Sequence, residues 1–124
     1  MSEHAIANAK AWLETIAELV ARANNDGEDN DAAREEIYEA PLSILVRGDW
    51  YAPGQVEDRE PTEYEILLST GGPALRIVGD LDRGYPETAR LQWQDWGTPW
   101  TDHETTHDDD RVIQSFAAFT YFGE

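Results

Sequence analysis

"YEILLSTGGPALRIVGDLDRGYP", residues 64–86, holds two runs rich in β-branched and aromatic residues, Tyr64–Ser69 and Ala74–Val78, on either side of Thr70-Gly71-Gly72-Pro73. Gly and Pro supply the backbone freedom and the fixed φ that a tight connection needs, so the pair predicts a β-hairpin. Asp82-Arg83-Gly84-Tyr85-Pro86 has the same character and leads toward a third run, Ala89–Gln94. Ser43–Arg47 upstream supplies a fourth. Together they predict a four-stranded antiparallel meander whose last three strands are neighbours.

The flanks are helical. Ile6, Ala9, Leu13, Ile16, Ala17 and Val20 recur at the spacing of one buried helix face, with Ser2 as N-cap and an end near Asn24. NNDGEDND then forms a solvated loop, and a second helix runs from about Asp31 to Ala40, closed by Pro41. Val112–Phe122 follows Asp108-Asp109-Asp110, which suit the first turn of a helix, although its aromatic content also permits a strand. The expected fold class is therefore α+β: two N-terminal helices, the meander and a C-terminal helix, in a single domain of 124 residues.

Charge narrows the function classes. There are 26 acidic against 9 basic side chains, a formal net of −17 and a pI near 4.2. Such a chain repels nucleic acid and anionic membranes while its field speeds encounter with a basic surface. The expected partner is a basic nucleic-acid-binding protein, with no direct nucleic-acid binding, no membrane and no cofactor. Adaptation to a salty cytoplasm is the competing account, since Lys10 is the one lysine. Cysteine is absent, and with it disulfides and thiolate ligands. Glu3, Glu14 and Glu18 sit where a secretory signal would be basic and then apolar, so a soluble, cytoplasmic protein is expected.

His103-Glu104-Thr105-Thr106-His107 spells H-E-x-x-H, a zinc-protease pattern that works only on a helix, where both imidazoles face one metal. No apolar residue lies between Thr101 and Arg111 to seat such a helix, so a solvated loop leading into the last helix is expected. A zinc hydrolase through His103, Glu104 and His107 is the alternative. Arg47-Gly48-Asp49 reads as a strand end and turn, and Ser69-Thr70-Gly71-Gly72 lacks the G-x-S-x-G elbow of a serine hydrolase. No catalytic residue is assigned, and a non-enzymatic protein is expected. Trp93, Trp96 and Trp100 are read first as core and second as a protein-binding anchor, because their neighbours Asp95 and Asp102 disfavour base stacking.

The candidate partner-binding residues are carboxylates. Asp26, Glu28, Asp29, Asp31, Glu35, Glu36 and Glu39 face Arg34 alone between positions 26 and 39, and Glu57, Asp58 and Glu60 form a second group. Asp31, Glu35 and Glu39 fall at i, i+4 and i+8, nearly in line with about 5–6 Å between neighbouring Cβ atoms. Like charges so placed cost a helix roughly 0.2–0.5 kcal/mol per pair, so stability does not explain the row. Carboxylates on a rigid scaffold can stand in for phosphates, which is the physical basis of DNA mimicry.

YEILLSTGGPALRIVGDL (64–81), ARLQWQDWGTPWTD (89–102) and FTYFGE (119–124) resemble a family of small uncharacterised acidic proteins carried by bacteriophages and prophages. The resemblance covers roughly the C-terminal half and implies a phage-encoded accessory protein. Joined to the acidity, it leads to the expectation of an inhibitor of a basic host protein, in concrete form an anti-CRISPR protein that blocks DNA binding by a CRISPR surveillance complex. A non-enzymatic phage structural protein is a further alternative.

Overall fold

The structure, a computed structural model, describes residues 3–25, 30–55, 60–120 and 122. Three helices, α1 (Glu3–Ala23), α2 (Asn30–Glu39) and α3 (His107–Ala118), pack on one face of an antiparallel sheet. Its strands are β1 (Ser43–Gly48), β2 (Pro61–Ser69), β3 (Ala74–Asp82), β4 (Tyr85–Pro86), β5 (Arg90–Gln94) and β6 (Thr101–Asp102). The order is β1-β2-β3-β5-β6, with β4 also on β3. No described helix is long and apolar enough to cross a membrane.

The α+β class and its flanking helices follow the expectation, but the sheet has six strands rather than four. The four expected strands are β1, β2, β3 and β5. The Asp82–Pro86 segment does not lead straight into β5. Arg83 (φ 54°) and Gly84 (φ 82°) close a hairpin in which Asp82 and Leu81 of β3 face Tyr85 and Pro86 of β4. The regular ladder then lapses at residues 87–89, where Glu87 N–H still donates to Asp80 C=O (2.9 Å), and resumes on the same edge of β3 as β5, with Arg90 opposite Val78 and Leu91 opposite Ile77. Strand β6 is held by pairing of Asp102 with Gln92 and Thr101 with Trp93, extended by a backbone bond from His103 N–H to Leu91 C=O (2.8 Å). Neither two-residue strand has a period of its own to read.

Alternation along the strands separates the two sheet faces. Tyr64, Ile66 and Leu68 of β2, Leu75 and Ile77 of β3 and Leu91 of β5 are buried toward the helices. They meet Ile16, Leu19 and Val20 of α1, Ile37 of α2, and Ile113 and Phe116 of α3 in one core. The buried face of α1 is rotated from the expected one: Ala5, Ala9, Ile16, Leu19, Val20 and Ala23 turn inward with Trp12 and Leu13 half-buried, whereas Ile6 and Ala17 are exposed. Small Ala5, Ala9 and Ala23 let the helix lie close, a role that an apolar count underrates. The carbonyls of Ala23 and Asn25, at the end of α1, accept hydrogen bonds from the Asn30 side chain (2.6 and 2.7 Å), which ties the two helices at their junction.

The last helix begins at His107, earlier than Val112, and ends at Ala118, short of Phe122. Thr106 is its N-cap in a capping box with Asp109, and Asp108, Asp109 and Asp110 occupy the first turn. Phe122 has left the helix and packs its ring 4.8 Å from that of Tyr64. The expected Ser2 cap lies outside the described residues.

Candidate functional site

Two surfaces are candidates: the outward side of α2 and the sheet face away from the helices. On α2, Ala33 and Ile37 are fully buried and fix the helix in rotation. Asp31, Glu35 and Glu39 project from the opposite side, all exposed, and among the described residues none of them forms an ion pair. Glu36 differs, because it accepts from Arg22 of α1 at 2.8 Å. Arg34, the one basic residue of α2, lies 5.5 Å from the centre of the Phe119 ring instead of beside the row. Glu60 is exposed just before β2, remote in sequence from α2. Asp26, Glu28, Asp29, Glu57 and Asp58 lie outside the described residues.

The open sheet face gathers basic residues in an acidic chain. Arg47 of β1 makes a two-pronged pair with Glu63 of β2: Nε donates to Oε2 at 2.8 Å and Nη2 to Oε1 at 3.1 Å. One rung along, Arg76 of β3 donates to Glu65 (2.6 Å) and to Gln92 of β5 (2.9 Å), and Gln92 donates in turn to Asp102 of β6 (2.8 Å). The Arg76 guanidinium also lies 4.1 Å from the centre of the Trp100 ring. A chain of side chains thus crosses four strands, Glu65–Arg76–Gln92–Asp102. Between the two rungs lies a groove of about 560 Å³ with Leu45 and Val78 on its floor and Arg90, Asp80 and Thr88 at its rim.

At the groove wall Tyr64 is buried and its hydroxyl donates to the Thr88 carbonyl at 2.6 Å. Burial pushes this hydroxyl well above the usual tyrosine range, and the Asp80 carboxylate adds to the shift. The hydrogen bond passes beside Gly79, where any Cβ would lie 2.0 Å from the same carbonyl oxygen. Glu63 is held below the usual carboxylate range, first by its hydrogen bond from Arg47.

Sequence reasoning placed none of this ladder. Alternation puts Glu63 and Glu65 on one side of β2 and Arg76 and Val78 on one side of β3, but only register brings Glu65 opposite Val78 and Arg76 opposite Gln92. The tryptophans divide in a way that corrects the first reading. Trp93 is half-buried against the core, Trp100 is half-buried beneath Arg76, and Trp96 is 83 % exposed, its indole lying over Gly72. Trp96 sits on the Asp95–Thr98 turn, beyond the end of β5, where the sheet no longer offers it a neighbour to cover it.

His103 and His107 do not share a helix. Residues 103–106 carry no regular structure, and Thr106 caps α3 between the two histidines. Among the described residues no group of three or more His, Asp or Glu side chains could hold a metal ion. The geometry required by H-E-x-x-H is therefore not formed.

Comparison with family models, with curated proteins and with solved structures finds no match to this chain.

Proposed function

We propose that the chain is a non-enzymatic inhibitor that binds a basic nucleic-acid-handling protein of a bacterial host, in concrete form an anti-CRISPR protein that occupies the DNA site of a CRISPR surveillance complex. The observation that carries this reading is the row Asp31, Glu35 and Glu39, in line on a helix anchored by Ala33 and Ile37 and without a basic partner among the described residues. Elsewhere three of the eight arginines pair with Glu36, Glu63 and Glu65. An unneutralised row on a rigid support presents negative charge to a groove built for phosphates. Long-range attraction then speeds encounter, and the contact excludes nucleic acid by occupancy. The bacterial host is part of the proposal, taken from the expected likeness of residues 64–81, 89–102 and 119–124 to phage proteins.

A pull-down from bacterial lysates with and without CRISPR systems, eluted along a salt gradient, tests it. The expected result is a basic effector subunit held at low salt and released as salt rises. The triple variant Asp31→Asn, Glu35→Gln, Glu39→Gln is expected to slow association by about tenfold or more at low salt. Unchanged association would remove the row from the mechanism.

Salt adaptation is favoured by a different observation: exposed carboxylates also occur on α1 (Glu3, Glu14, Glu18), on α3 (Asp108) and in loops (Asp49, Glu87). If that spread is the whole account, the protein unfolds as salt is withdrawn and no basic partner is recovered. Stability that persists at low salt sinks this second reading.

A further inference from the structure

Strand β1 is an edge strand, paired to β2 on one side only. Its outer side presents alternate backbone N–H and C=O groups that no strand among the described residues meets. Native sheets blunt such edges with charges, proline or a covering element, because an open edge is a template for another strand. In β1 such devices are confined to its end, where Arg47 and the register shift at Arg47/Gly48 lie, and none falls from Leu42 to Val46. No carboxylate occurs from Ala40 to Gly48, and Arg47, the one charged residue of the stretch, is tied to Glu63. Leu42 and Leu45 are 59 % exposed, Val46 is 42 % exposed, and Trp50 just beyond is fully exposed.

We infer that two copies of the chain pair antiparallel through β1, joining their sheets edge to edge about a two-fold axis that passes between Leu45 and the partner's Leu45. Charge selects the occupant. A basic partner is drawn toward the carboxylate-rich helices and gains nothing electrostatically at this edge. A second copy, itself at −17, is repelled by the carboxylate-rich surfaces and meets here a stretch without carboxylates, residues 40–48.

Charge and pleat also select the register. Because side chains alternate between faces, a two-fold relation keeps the helix layers on one side only when paired residues share parity. Centring on Leu45 sets Ile44 opposite the partner's Val46 and Ser43 opposite the partner's Arg47. The two Arg47 residues are then four positions apart, about 13 Å, beyond the screening length at physiological salt. Centring on Arg47 would instead put like charges about 5 Å apart. Centring on Ile44 would set Arg47 against the partner's Pro41, which has no N–H to give. Complete cover of Leu42, Leu45, Val46 and Trp50 on both copies would remove at most on the order of 1,000 Å² of surface, the size at which specific interfaces begin. The dimer therefore tightens as salt rises, opposite to the salt response of the proposed basic partner, so the two associations are distinguishable.

Sedimentation equilibrium of the full chain over a range of concentrations, at low and at molar salt, tests the pairing. A monomer–dimer equilibrium that tightens with salt is expected. Leu45→Lys and Leu45→Glu are each expected to weaken it at least tenfold, and an equimolar mixture of the two to dimerise again, since the opposed charges would meet on the axis. Far-UV circular dichroism confirms folding of both variants at this exposed position. In the wild-type chain, amide exchange at Ile44, Leu45 and Val46 is expected to slow with rising protein concentration. A monomer under all conditions, charge variants that dimerise like wild type, or β1 amides indifferent to concentration would overturn the pairing.

Discussion

The guanidinium of Arg76 lies over Trp100 with its central carbon 4.1 Å from the ring centre, while its nitrogens reach Glu65 and Gln92 on the two neighbouring strands. One side chain therefore fixes β2, β3 and β5 in register on the open face and covers an indole that the core does not reach. Arg76 is four-fifths covered, so water competes weakly for these contacts.

Replacing Arg76 by Lys keeps the charge but loses the planar fork and the stack. Arg76→Lys is expected to lower stability in urea by about 1 kcal/mol, and Arg76→Met by about 2 kcal/mol. A double-mutant cycle with Trp100→Leu should show a coupling of about 0.5–2 kcal/mol. Zero coupling would mean that the ring contributes only area.

Gly79 is dictated by close approach, not by φ. A Cβ there would lie 2.0 Å from the Thr88 carbonyl oxygen, which is backbone and cannot swing aside. Gly79→Ala is expected to cost about 3 kcal/mol and to disturb the Tyr64–Thr88 hydrogen bond. Gly84→Ala offers a contrast, since nothing lies within 4 Å of that position and its cost arises from the positive φ of 82°. Urea titrations of the two variants with matched slopes check the ranking.

Tyr64 links stability to alkaline pH. Its hydroxyl is raised in the folded chain, so the folded state keeps a proton that the unfolded state releases above pH about 10. The contribution is full below that unfolded value and falls away as pH climbs past it. Stability measured across pH 9–11.5 is expected to decline more steeply in wild type than in Tyr64→Phe. The variant should lose about 1 kcal/mol at neutral pH, the worth of its hydrogen bond to Thr88. Parallel alkaline limbs would remove Tyr64 from the effect.

Glu63 works in the acid direction. Its pKa is lowered chiefly by the hydrogen bond from Arg47, so its contribution is present above the ordinary glutamate value and is lost as pH falls through the depressed one. The side-chain carboxyl resonance of Glu63 is expected to titrate below that of an ordinary glutamate, and to return toward it in Arg47→Met. The pair is solvent-exposed, so NMR rather than a melting temperature is the sensitive readout.

Local chemistry made much of the fold legible. Thr70–Pro73 marked the β2–β3 turn, alternation marked β1, β2, β3 and β5, and the aspartates at 108–110 marked the start of α3. What could not be read depends on contacts between distant positions. β4 exists because Asp82 faces Tyr85 around a tight turn, and β6 because Gln92 faces Asp102. The inward face of α1 was misjudged at Ile6 because three alanines decide how the helix lies. Of the candidate site, the α2 row was visible from its spacing, whereas Arg47–Glu63 and Arg76–Trp100 appear only once strand register is known. The same limit explains Trp96 and Trp50, whose exposure no composition can announce.

The packing of α1 against α3 has a consequence for synthesis on the ribosome. Ile16, Leu19 and Val20 emerge first, but Ile113 and Phe116, which share their core, lie about 100 residues later. At about 5–20 residues per second, the apolar side of the first helix waits roughly 5–20 s for its cover. A truncation that removes α3 should leave a nascent chain that chaperones hold and proteases cut, even with most of the sheet already made.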